Sequence, residues 1–152
     1  MTTPPTTPPI MNGMDIAETA AAIRRLLDDT TAAIGISSAD FIPMRIIAIR
    51  GPLNPAELHD FVAKQLLFGL RPENAADLLA SLEERGLLSG TSRDGDGPAQ
   101  MTEAGRAVFD KVAVSITEVS DKLYVVCEHE DLVTATRVMA RLTERAKELA
   151  AG

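Results

Sequence analysis

Ile16, Ala20, Ile23, Leu27, Thr30 and Ile34 recur at alternating four- and three-residue steps, which lays one mostly apolar stripe along a helix. Gly35 suits its stop, and Ser37 or Ser38 caps a second helix that runs to about Arg50, with Phe41, Met44, Ile47 and Ala48 inward. Pro43 is read as lying in the first turn of that helix, where its missing N–H costs little. Gly51-Pro52-Leu53 reads as a short connector. Asn54, Pro55 and Glu57 then form a helix start signal (cap, first position, third position), and the third helix carries Leu58, Phe61, Val62, Gln65 and Leu66. An apolar run, Leu66 to Leu70, precedes Pro72, which opens a fourth helix with Ala75, Leu78, Leu79 and Leu82 inward and a stop at Gly86.

Two short runs, Leu87 to Ser92 and Pro98 to Met101, flank Arg93-Asp94-Gly95-Asp96-Gly97, and Asp-Gly steps in that position predict a β-hairpin. Thr102 can cap a long helix through Phe109, Val112, Ile116, Val119, Leu123 and Val126. A last helix bears Leu132, Ala135, Met139, Leu142, Ala146 and Leu149 at the same three-and-four spacing. The order of elements predicts a mainly α fold: a winged helix-turn-helix with a small β-hairpin wing, flanked by N- and C-terminal dimerisation helices. Residues 1–13 read as a flexible Pro/Thr-rich tail and 14–152 as one domain, with the winged part at 54–102 and dimerisation helices at 14–36 and 103–150. The heptad-like stripes at both ends exceed what one small domain must bury, so a homodimer is expected.

Composition narrows the chemistry. Aromatics make up only 3% of the 152 residues, so the core must come from Leu, Ile, Val, Ala and Met. A single cysteine, Cys127, excludes an internal disulfide and a Cys-rich zinc site. Surrounded by Glu128, Glu130 and Asp131, it reads as a small buried residue at a helix junction rather than a reactive thiol, which needs basic surroundings. No apolar stretch reaches the roughly 18 residues of a membrane span, and no secretory signal is visible, so a cytoplasmic protein without a membrane partner is expected. The Ser-His-Asp order, phosphate loop and paired-histidine metal motif are all missing, so nothing in the sequence supports an enzyme, a cofactor or a metal.

Three segments then carry a resemblance. Gly51-Pro52-Leu53-Asn54-Pro55-Ala56-Glu57-Leu58 resembles the opening of the first DNA-binding helix in the MarR family of bacterial transcription regulators. Leu82-Glu83-Glu84-Arg85-Gly86-Leu87-Leu88 is similar to the end of its recognition helix, and Met101-Thr102-Glu103-Ala104-Gly105-Arg106 to the start of its long dimerisation helix. The resemblance covers about Asp15 to Leu149. It implies a dimer that binds duplex DNA and releases it when a small aromatic or phenolic ligand enters a cleft. On that analogy Asn74 and Ser81 would read bases, while Lys64, Arg71, Arg85 and Arg93 would hold phosphates. The cleft would draw on Phe41, Arg45, His59 and Phe68, with His59 alternatively a surface histidine.

Charge leaves a second reading open. The net charge is −7, whereas phosphate neutralisation by Lys and Arg supplies most nucleic-acid affinity. Between Asn54 and Thr102 stand four basic residues and eight acidic ones. The outward face of the fourth helix reads Asn74, Asp77, Ser81 and Glu84, and a carboxylate there suits only the amino group of cytosine. The alternative is therefore a MarR-like dimer that keeps the cleft, binds a small molecule or a protein there or catalyses a reaction in it, and no longer binds DNA.

Overall fold

A computed structural model describes residues 7–64 and 74–152 of the chain, which fall into two compact units divided between Ile116 and Thr117. Gln65, Leu66, Phe68, Arg71 and Pro72, with the apolar run and the opening of the fourth helix, lie outside the described residues.

In the first unit, α1 spans Gly13–Ala32. It ends at Ala32 rather than near residue 36, and it begins one residue before the expected boundary at residue 14, taking in Gly13 from the expected tail. Asn12 is the reason: its side chain accepts from the Met14 and Asp15 backbone N–H groups, and the Asp15 carboxylate accepts from the Asn12 N–H at 2.9 Å. Ile16, Ile23 and Leu27 are half-buried, so the stripe is only partly covered. Helix α2, Ser38–Arg50, is capped by Ser37 in the same reciprocal way with Asp40. Pro43 is its sixth residue and therefore stands beyond the first turn, contrary to the sequence reading. It cannot donate to the Ala39 carbonyl, yet the helix continues; the proline ring is fully buried, and its packing offsets the missing bond.

Helix α3 is Pro55–Lys64 and α4 is Ala75–Glu84. Leu58, Val62, Leu79 and Leu82 are completely buried with Met44 and Val112, as the periodicity required. The wing consists of β1, Leu88–Ser89, antiparallel to β2, Gln100–Met101, with Leu88 opposite Met101. Leu53, read as connector, instead forms a β-bridge with Ala99: its N–H donates to the Ala99 carbonyl at 3.2 Å and its carbonyl accepts from the Ala99 N–H at 2.8 Å. The wing thus gains a third strand position from the α2–α3 connection.

Helix α5, Glu103–Tyr124, starts with Thr102, whose hydroxyl oxygen accepts from the Gly105 N–H at 3.0 Å. Its part up to Ile116 belongs to the first unit, where Val112 enters the core and Val108, Phe109 and Ile116 pack beside it.

The second unit holds the rest of α5 and all of α6, His129–Ala151. Helix α5 ends at Tyr124, before the expected Val126, and Val125 and Val126 are exposed. Cys127 is exposed as well, not buried as expected, because it lies in the turn after the helix. No residue of α6 is buried; Met139, Leu142 and Leu149 of its apolar stripe are 42%, 44% and 65% exposed. No described helix is long and apolar enough to cross a membrane.

Candidate nucleic-acid interface

Helix α4 turns Ala75, Leu79 and Leu82 into the core and so presents the opposite side to solvent. Asn74, Asp77 and Glu84 are exposed there and Ser81 is half-buried, at the helical spacing expected from the sequence. Lys64 is exposed at the end of α3, and Arg93 is exposed in the wing turn, where the Gly95 N–H donates to the Ser92 carbonyl.

Two of the arginines assigned to phosphates are engaged within the protein. Arg85 Nη2 donates to Asp40 Oδ1 at 2.8 Å and Nη1 to Oδ2 at 3.1 Å, a two-bond fork that ties the end of α4 to the start of α2. Asp40 is 5% exposed. Burial alone would raise its pKa, but the Arg85 hydrogen bonds, the Ser37 N–H and the Arg85 charge together hold it below the ordinary carboxylate value. The same contact raises the Arg85 pKa. Arg93 Nη2 donates to Asp60 Oδ1 at 3.2 Å on the exposed side of α3.

The wing root is built from residues that the sequence reading used differently or not at all. His59 is buried, and its Nε2 lies 2.7 Å from the Thr91 carbonyl, so Nε2 must carry the proton and donate. The Thr91 hydroxyl donates to Glu83 Oε2 at 2.8 Å, and the Gly90 N–H donates to Glu83 Oε1 at 3.0 Å. Glu83, one of the eight acids counted in this segment, is therefore a structural acceptor between α4 and the wing. Gly90 has φ +69°, and a Cβ there would lie 2.5 Å from the Pro98 carbonyl oxygen, so the two strands meet at a position only glycine accommodates. His59→Leu should remove the donor to Thr91 and cost about 1–2 kcal/mol, read as a lower urea midpoint; an unchanged midpoint would show that the bond contributes nothing.

The residues assigned to the ligand cleft are dispersed. Phe41 is half-buried and stacks on Phe109 with ring centroids 5.1 Å apart and planes 8° from parallel. The Arg106 guanidinium lies 5.8 Å from the Phe109 centroid. Arg45 is exposed on α2, His59 belongs to the wing root, and Phe68 lies outside the described residues. Arg50 sits over the Phe61 ring at 4.1 Å. A cavity of about 630 Å³ opens elsewhere, between the end of α1 and the start of α2, lined by Asp28, Ala32, Gly35, Ile36, Ser37, Ser38 and Ala39. Asp40, Thr91 and Asp60 went unassigned in the sequence because each acts through a distant partner; only a cap at Ser37 or Ser38 was visible locally.

A solvent-exposed helix held between two supporting helices and a two-stranded wing defines a winged helix-turn-helix module. Solved structures agree. A ligand-free organohalide-sensing transcriptional regulator superposes with a TM-score of 0.72 at 15% identity, over 90% of this chain and 79% of that one. A MarR family transcriptional regulator from Silicibacter pomeroyi gives 0.68 at 20% identity, over 88% and 91%. A Mycobacterium tuberculosis MarR family protein in complex with DNA gives 0.64 at 17% identity, over 88% and 98%. The chain has the fold of MarR family regulators; at these identities the likeness concerns the fold. No family model and no curated protein matches the sequence.

Proposed function

We propose that the protein is a dimeric, ligand-responsive transcription regulator of MarR type, which places α4 at a major groove and the wing at the adjacent minor groove. The observation that carries this reading is the exposure of α4 beside a wing fixed to both α3 and α4 through His59, Thr91 and Glu83. Asn74 and Ser81 would face bases, with Lys64 and Arg93 near phosphates. Arg85 would act by holding the angle of α4 rather than by touching DNA, since its fork already grips Asp40. The partly covered stripe on α1 and the exposed stripe on α6 support pairing with a second copy, because an exposed row of Met139, Leu142 and Leu149 is a liability in an isolated subunit.

The stacked Phe41–Phe109 pair with Arg106 beside it suits a small aromatic acid, which could stack on a ring and pair with the guanidinium. Salicylic acid, found with the Mycobacterium tuberculosis protein, and 2,4-dichlorophenol, found with the organohalide sensor, are the natural probes.

One observation favours the second reading, a dimer that binds a ligand but no DNA: from Asn74 to Glu84 there is no cation, and Asp77 and Glu84 are exposed. An electrophoretic shift of the duplex upstream of the coding sequence, at low salt, separates the two. A shift that an unrelated duplex fails to compete away is expected. No specific shift, together with a salicylate-induced rise in melting temperature, would select the second reading.

A further inference from the structure

We propose that Asp60 on α3 competes with DNA for the wing arginine, so that the protein restrains its own grip on a duplex. This rests on the DNA-binding reading above. The wing turn contains one cation, Arg93, beside the acids Asp94 and Asp96. A phosphate or the negative potential of the minor groove is what a wing arginine can recognise. Arg93 is instead folded back onto Asp60, with Nη2 to Oδ1 at 3.2 Å.

Among the described residues, the Arg85–Asp40 and Arg93–Asp60 pairs differ in how firmly they hold. Asp40 is buried, accepts two bonds from Arg85 and caps α2, so releasing Arg85 would leave a buried carboxylate without its counter-charge. Asp60 and Arg93 are 58% and 56% exposed and share one bond, a contact that water screens and that competes weakly. Arg93 is therefore the cation that can change partners. It must leave Asp60 to reach DNA, and the carboxylate it leaves behind stays on the DNA-facing module. Among the described residues 54–64 and 74–102 the remaining cations are Lys64 and Arg85. A single exchangeable arginine thus weighs heavily in the electrostatics of this surface.

Asp60→Asn tests the idea, because the amide keeps the shape, removes the charge, and sits at an exposed position where folding is insensitive. Anisotropy titration of the upstream duplex with the full-length protein should show Asp60→Asn binding about three- to tenfold more tightly than wild type, the scale of one exposed pair released in each of two subunits. Arg93→Ala should weaken binding and lower the salt dependence. The deciding comparison is Asp60→Asn in the Arg93→Ala background. Competition predicts that the gain disappears there. An equal gain with and without Arg93 would mean that Asp60 acts only as a general negative charge, and weaker binding by Asp60→Asn alone would mean that it positions Arg93; either overturns the proposal. If neither wild type nor Asp60→Asn binds any duplex at low salt, the DNA-binding reading itself fails.

Discussion

Gly105→Ala is expected to destabilise the protein by about 3 kcal/mol, lowering the melting temperature by roughly 6–12 °C for a domain of this size. A Cβ at residue 105 would lie 1.9 Å from the Leu87 carbonyl oxygen and 2.9 Å from the carbonyl carbon. These are main-chain atoms, and no rotamer change relieves the overlap. The Leu87 carbonyl also accepts from the Thr102 N–H at 3.1 Å, so it cannot retreat without loosening the start of α5. Helix propensity runs the other way, since alanine in place of glycine favours a helix by about 1 kcal/mol. The clash should win because the first turn of α5 lies directly against the Leu87 backbone, just before β1. Far-UV circular dichroism melts check it; a variant as stable as wild type would show that the helix and strand do not approach so closely.

Asp40→Ala is expected to cost about 3 kcal/mol, because one carboxylate both caps α2 and holds Arg85. Losing a cap costs about 1 kcal/mol, and parting a mostly buried ion pair adds about 2, less than for a fully buried pair because Arg85 is 38% exposed. The pair also sets an acid limit. The folded pKa of Asp40 lies below its unfolded value, so its contribution is complete above the ordinary carboxylate pKa of about 4 and disappears as pH falls through the lower, folded value. The raised Arg85 pKa contributes throughout the accessible range and is lost only in strong alkali. Urea unfolding from pH 6 to pH 3 should therefore show wild type losing its advantage over Asp40→Asn below about pH 4. A constant difference across that range would contradict the assignment.

What the sequence disclosed is what short-range physics determines. The inward positions Leu58, Val62, Leu79 and Leu82, the Thr102 cap and the wing turn follow from periodicity and side-chain chemistry within a few residues. The terminal stripes were legible too, and α6 indeed lies uncovered in the single chain. Long-range pairing was not legible. Nothing near Leu53 announces its bridge to Ala99, and Asp40 and Arg85 are 45 residues apart. His59 looked like a cleft or surface residue because its partner, the Thr91 carbonyl, is a backbone atom with no side-chain signature 32 residues away. Charge counting misjudged Glu83 for the same reason: a carboxylate accepting two bonds at the wing root is not a charge offered to phosphates. Pro43 shows another limit: read as a first-turn proline, it stands at the sixth position of α2, where its ring is buried and the helix continues.

The proposed mode of action is tested most directly by a hydroxyl-radical footprint of the full-length protein on its upstream duplex at low salt. Two symmetry-related modules, each with a helix in the major groove and a wing beside it, predict paired protected stretches centred about one helical turn, or a multiple of it, apart, flanked by minor-groove protection that Arg93→Ala removes. Uniform cleavage along the duplex, at protein concentrations where the pair of subunits is assembled, would contradict it.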